Sequence, residues 1–175
     1  MKKTIIPKEN YAVICGKLVN DPVIAVINSS LRNEFKKKTD FQWQLSIIVH
    51  FFDVTDKGLP TEKELTLLES FEKYLEENIK GPKDNPNAQF LARITYKGTQ
   101  EFIYRVCNPE ITDKFLKNVI NEGKYIREFE YCMEHDLKWE MTKWVFYMLK
   151  DNSKSSCKID EDENWKLYQM THNIK

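Results

Sequence analysis

Apolar and polar positions along the chain switch between a period of two and a period near 3.6, and each switch marks an element. Residues 11–18 and 22–28 are rich in β-branched side chains, and Val19-Asn20-Asp21 joins them. Asn and Asp tolerate turn geometry, so a β-hairpin over 11–28 is predicted. Ser29 or Ser30 then caps a short helix to about Lys38. Over 43–52, Trp43, Leu45, Ile47, Val49 and Phe51 share one face of a strand. Gln44, Ser46, Ile48, His50 and Phe52 form a mixed opposite face, as in a half-covered sheet.

The strongest local signal follows. Gly58-Leu59-Pro60 breaks the chain, and Thr61-Glu62-Lys63-Glu64 reads as a capping box. In such a box the Thr61 hydroxyl accepts from the Glu64 amide while the Glu64 carboxylate reaches back. Leu65, Leu68, Phe71, Leu75 and Ile79 then recur at helical spacing, with Glu72 as a polar interruption, until Gly81-Pro82 ends the helix. Phe90, Ala92, Ile94 and Tyr96 alternate as a strand, and Phe102, Tyr104 and Val106 as the next. Two rules compete at their junction. A two-residue turn at Lys97-Gly98 sets Ile94 beside Glu101, whereas a three-residue loop, Lys97-Gly98-Thr99, aligns Ile94 with Phe102 and Ala92 with Tyr104. Register follows the buried face, so the longer loop is the expectation.

Asn108 and Pro109 open a second helix as N-cap and first residue; Ile111, Phe115, Val119 and Ile120 are its stripe, and Gly123 ends it. A last strand runs over 127–133 with Phe129 and Tyr131 inward, and 137–149 reads as an aromatic helix. Past Lys150 the composition becomes that of a linker, followed by an aromatic segment at 165–170.

From 43 to 133 the order is strand, helix, strand, strand, helix, strand, which predicts an α+β, ferredoxin-like core of four antiparallel strands with both helices on one face. The expected organisation is one domain over 1–150, with the hairpin at 11–28 and the helix at 137–149 added to that core, and a tail at 151–175. Trp43, Ile47, Ile94, Phe102 and Phe129 then face the helices. The other face carries the Gln44 to Phe52 set beside Leu91, Arg93, Thr95, Glu101, Ile103, Arg105, Glu128 and Glu130. The hairpin and the last helix are expected to cover it, with Arg105 paired to Glu128 or Glu130 across strands. A candidate binding face follows, comprising His50, Arg93, Glu101, Arg105, Asp136 and Trp139.

Charge narrows the function classes. The 175 residues hold 27 basic and 27 acidic side chains, a formal net charge of zero. That argues against a nucleic-acid partner, which calls for a basic footprint. The run Lys36-Lys37-Lys38 near Arg32 and the run Asp160-Glu161-Asp162-Glu163 read as solvated faces. No window approaches ~18 uninterrupted apolar residues, so no membrane span is expected. Residues 1–7 lack the apolar stretch of a secretory signal, and Cys15, Cys107, Cys132 and Cys157 form no C-x-x-C pair. Both point to reduced thiols and the cytoplasm.

Catalytic chemistry is sparse. His135 beside Asp136 is half of a metal or acid–base site without a second ligand at the right spacing. His50 reads as a structural histidine facing Arg93 or Glu101, and His172 lies near the end. Cys107 precedes a helix N-terminus, which lowers a thiol pKa, but no base adjoins it. Glu101 and Tyr104 point to opposite faces, with the Tyr104 hydroxyl expected to find a polar partner. Trp139 and Trp144 read as anchors of the covering helix. With five glycines and no G-x-G-x-x-G or P-loop, nucleotide binding of that kind is excluded. No catalytic residue, metal or cofactor is expected.

Three groups of residues resemble a known family. They are Gly58-Leu59-Pro60-Thr61 with Glu64, Leu68 and Glu69; Thr95, Gly98, Glu101, Phe102 and Tyr104; and Asp136 with Trp139. Over about 43–139 the chain resembles the bacterial domain-of-unknown-function family six-nine-five, which is similar to the B-type regulator of ribonuclease E activity. That regulator is acidic and lacks the hairpin and tail. The resemblance implies a ferredoxin-like protein that works by protein contact. The expectation is a non-enzymatic regulator or inhibitor with a protein partner. The alternatives are a small-ligand binder or enzyme in a cleft on the open face, a toxin-neutralising immunity-type protein, and a sheet-to-sheet homodimer.

Overall fold

A computed structural model describes residues 8–18, 20–36, 40–123 and 125–151. The segment at 1–7, Lys37-Lys38 and nearly all of the tail, with Cys157 and His172, lie outside the described residues. The strands are β1 (Tyr11–Leu18), β2 (Asp21–Asn28), β3 (Trp43–His50), β4 (Ala88–Tyr96), β5 (Thr99–Val106) and β6 (Phe129–His135). The helices are α1 (Glu62–Ile79), α2 (Pro109–Asn121) and α3 (Lys143–Asp151), with 3-10 turns at Ser29–Lys36 and Glu140–Thr142.

One open antiparallel sheet of six strands holds them in the order β1-β2-β4-β5-β3-β6. The expected sheet of four is therefore extended. The N-terminal hairpin lies beside β4 as part of the sheet, with Ala25 opposite Ile94, rather than across its second face. Pairing satisfies an edge that β4 would otherwise leave open.

Lys97 and Gly98 both take positive φ, 46° and 76°, so the hairpin closes on a two-residue turn with Tyr96 opposite Thr99. The longer loop is thus corrected, and Ile94 does lie beside Glu101. A bulge lets the short turn still keep Phe90 on the side of Phe102 and Tyr104. Phe90 pairs with Tyr104 but Ala92 pairs with Ile103, so Leu91 is the extra residue and the side-chain parity of β4 flips there. Asn28 donates from Nδ2 to the Phe90 carbonyl at 3.1 Å, satisfying the ladder where it is interrupted. Before the bulge Phe90 faces α1 and α2; after it Arg93 turns to α1 while Ala92 and Ile94 join the other side.

The helix side is filled by Leu45, Ile47, Val49, Phe102, Tyr104 and Val106 under Leu68, Phe71, Leu75, Ile79 and Leu116. Each such side chain contributes ~1.5–3 kcal/mol on burial. Thr61 caps α1, its hydroxyl accepting from the Glu64 amide at 3.4 Å. The reciprocal half of the box is absent, because the Thr61 amide donates to Asp53 O and the Glu64 carboxylate turns inward. On α2 the buried positions are Thr112, Leu116 and Val119, and Ile111 and Ile120 are exposed. The stripe is rotated because Asn87 donates to Thr112 Oγ1 at 2.9 Å and Tyr131 to Asp113 at 2.9 Å.

On the second side α3 buries Val145 and Phe146 against Ile14, Ala25, Ile27, Ile94 and Ile103. The predicted helix at 137–149 is corrected. The chain turns at Trp139, whose φ is 57°, and regular helix begins at Lys143. Trp139 is buried but Trp144 is 43 % exposed, so only one of the two anchors the layer.

Candidate functional site

The six residues of the expected binding face fall in three places. Arg93 lies on the helix side, buried, with Nη1 paired to the Glu72 carboxylate of α1. Burial raises the Glu72 pKa and Arg93 opposes that shift. The bulge at Leu91 is why Arg93 left the expected face.

Arg105, Asp136 and Trp139 form a buried network under the second layer. Arg105 Nη1 donates to Asp136 Oδ2 at 3.0 Å, and Nη2 donates to the carbonyls of Asp136 and Phe41 at 2.7 and 3.1 Å. Trp139 lies against the guanidinium, 4.6 Å from ring centre to Cζ, and its Nε1 donates to Phe41 O at 2.9 Å. Asp136 also accepts from the amides of Glu140 and Met141, at 2.7 and 3.0 Å, closing the turn before α3. Burial lowers the Arg105 pKa to about 10, and the Asp136 charge acts in the other direction. The expected pairing of Arg105 with Glu128 or Glu130 is replaced by this bond to Asp136. The chemistry is that of a clamp, since Nη1 and Nη2 of Arg105 and both carboxylate oxygens of Asp136 are engaged by internal partners.

His50 and Glu101 remain on the second side, where α3 does not reach. Glu101 accepts from Ser46 Oγ at 2.5 Å. His50 lies opposite Thr99, and its Nε2 is 3.8 Å from Glu130 Oε1 rather than against Arg93 or Glu101. Ser46 and Ile48 are half-buried, and His50, Glu130, Cys132 and Glu134 are exposed. This strip over β3 and β6 is the accessible part of the sheet face.

The other candidates are resolved by their neighbours. His135 lies against Trp43, ring centres 5.0 Å apart and tilted by 56°, and meets Gln42 Oε1 at 3.2 Å, while Asp136 points inward, so the two do not converge. The Cys107 thiol is pushed up in pKa by burial and then by Asp40, opposite to the shift expected at a helix start. Tyr104 is fully buried, and its hydroxyl has no hydrogen-bond partner among the described residues. Burial holds that phenol well above the usual range, with Glu76 and Glu72 adding to the shift.

Two features escaped the sequence reading. Glu64 is fully buried and held by Arg127 through Nε and Nη2 at 2.7 and 2.8 Å, a pair distant in sequence with no local signature. The second is Glu134, which extends the acidic side of β6 beyond the expected Glu128 and Glu130. Its signal was present as strict alternation from Glu128 through Phe129, Glu130, Tyr131, Cys132 and Met133 to Glu134.

By its architecture this is a mixed α+β protein: the described residues form an open six-stranded antiparallel sheet, with two helices on one side and a third over half of the other. The model of the family of unknown function DUF695 matches residues 9–149, and the chain belongs to that family. The matched span includes the hairpin and α1 through to α3's Leu149. No curated protein and no solved structure matches the chain. No helix among the described residues is long and apolar enough to cross a membrane.

Proposed function

We propose that this chain is a non-enzymatic protein of the cytoplasm that acts by binding another protein, in a regulatory or inhibitory role. The observation that carries this reading is the uncovered strip over β3 and β6, where Ile48 lies among Ser46, His50, Glu101, Glu130 and Glu134. An apolar residue ringed by polar ones on a rigid sheet suits a protein contact. In this reading the run from β3 to β6 is a ferredoxin-like platform. The resemblance to a regulator that works by contact supports the same role. Cys107 and Cys132 as exposed thiols are in keeping with a reducing compartment.

An enzyme or ligand cleft would need His50, Arg93, Glu101, Arg105 and Asp136 to converge. Arg93 is engaged by Glu72, and Arg105 and Asp136 by each other, which favours contact over chemistry. The test compares full-length wild-type and Ile48→Arg chains as baits in native lysate. The expected result is a partner retained by the first and lost by the second. Equal retention, or capture by neither, overturns the reading. A dimeric mass in solution that reverts to monomer on Ile48→Arg would assign the strip to self-association instead.

A further inference from the structure

Among the described residues β6 is the last strand of the sheet, and its two sides carry opposite chemistry. Toward α2 stand Phe129, Tyr131 and Met133, each only half-buried. Beside them Ile120, Tyr125 and Ile126 are exposed, Tyr125 meeting Phe129 edge-on at 5.8 Å. Toward the other side stand Glu130, Cys132 and Glu134, all exposed.

Backbone parity follows the side chains. His50 N donates to Glu128 O at 3.3 Å and Asp136 N to Gln42 O at 2.7 Å, so the even-numbered residues turn their amides toward β3. The N–H and C=O groups of Phe129, Tyr131 and Met133 therefore point away from the sheet, and no described residue pairs with them.

We propose that β6 accepts, as a further strand, an extended segment of a partner protein in which basic and apolar residues alternate. This rests on the reading that the chain acts by binding a protein, and it specifies how. Main-chain bonds to the three outward amide groups hold the segment, and the alternation sets its register. Its basic side chains lie beside Glu130 and Glu134, and its apolar ones extend the shelf of Phe129, Tyr131 and Met133.

The same charges exclude other occupants. A second copy pairing antiparallel about Cys132 would set Glu130 against Glu134, and in-register parallel pairing would set each glutamate against itself. Like charges directly opposite destabilise a strand pair. An acidic edge thus guards against self-association while leaving a basic strand admissible. In the chain's own tail, Asp160-Glu161-Asp162-Glu163 has the wrong sign and 165–170 holds one lysine.

The test adds a short peptide of alternating lysine and valine to the full-length chain and follows amide hydrogen exchange. Expected is slowing by about tenfold or more at Phe129, Tyr131 and Met133, with Glu130 and Cys132 little changed. The Glu130→Lys/Glu134→Lys double variant should weaken binding by about tenfold or more. A peptide with its lysines and valines in separate blocks should give no protection. Equal protection by the block peptide would mean charge attraction without strand addition and overturns the proposal. Protection of the three amides before any peptide is added would place the chain's own tail there and also overturns it. Met133→Pro removes one outward donor at an edge position that tolerates proline, with circular dichroism confirming the fold. If a native partner lost on Ile48→Arg survives Met133→Pro, protein binding stands and strand addition falls. If the peptide protects the edge but no partner depends on Ile48, strand addition stands and the wider reading falls.

Discussion

Ile103 and Ile48 stand on adjacent strands and on the same side of the sheet, yet the first is fully buried and the second half exposed. What separates them is the layer that begins at Trp139. Over β1, β2, β4 and β5, Ile14, Ala25, Ile27, Ala92, Ile94 and Ile103 form an apolar patch that α3 covers with Val145 and Phe146. Over β3 and β6 the side chains include Ser46, His50, Glu130 and Glu134, and α3 does not extend there. The boundary is the Arg105–Asp136 bond, which ties the turn before α3 to the sheet. One half of the face is therefore structural and the other available, and polarity changes at that seam.

The largest expected effect tests the seam. Asp136→Ala leaves the Arg105 guanidinium buried without its carboxylate and removes the acceptor of the Glu140 and Met141 N–H groups, so a loss of about 3–5 kcal/mol is expected in urea denaturation. Asp136→Asn should lose less, since its amide oxygen can still accept. A loss near zero for Asp136→Ala would break the claim that this bond anchors the layer.

The matched pair comes next. Ile103→Ala should cost about 2–5 kcal/mol, as a cavity in a packed core does. Ile48→Ala should cost about 1 kcal/mol or less, because that side chain is already partly in water. Equal losses would mean that the strip over β3 is covered after all. Thr61→Ala removes the α1 cap and should cost about 1 kcal/mol, without touching either half of the face.

The smallest effect is in alkaline solution. Burial and the bond to Asp113 raise the Tyr131 pKa from 10.0 to about 12. Between those values the folded chain keeps a proton that the unfolded chain has lost, so stability from this group falls as pH rises through that window. Tyr131→Phe should therefore decline less steeply than wild type from pH 10 to 12 in denaturation series. Identical slopes would mean that burial and Asp113 together do not hold the proton on that phenol.

Much of the fold was legible locally. The Thr61 cap, the stripe of α1, the Asn108-Pro109 start and the alternation of β3 and β5 each need only neighbouring residues. The junction at Lys97-Gly98 was harder. The turn chemistry and the apolar alignment disagreed; the turn won, and with Leu91 an extra residue in β4 it is Phe90, not Ala92, that pairs with Tyr104. A bulge leaves no signature in a run such as Phe90 to Thr95, where either parity buries apolar side chains. The site suffered the same way: moving Arg93 across the sheet, and Arg105 from Glu130 to Asp136, requires knowing which elements stack on which side.

The chain by itself determined the kind and order of its elements and the starts of α1 and α2, because caps, turns and hydrophobic period act over a few residues. Only the tertiary structure decided which ionisable groups meet, since Arg93 with Glu72 and Glu64 with Arg127 are joined by packing rather than by spacing. It also decided how far α3 reaches across the sheet, and so which strands keep a face and an edge for a partner. Burial is settled by what lies on top of a residue, and that is a property of the assembled layers.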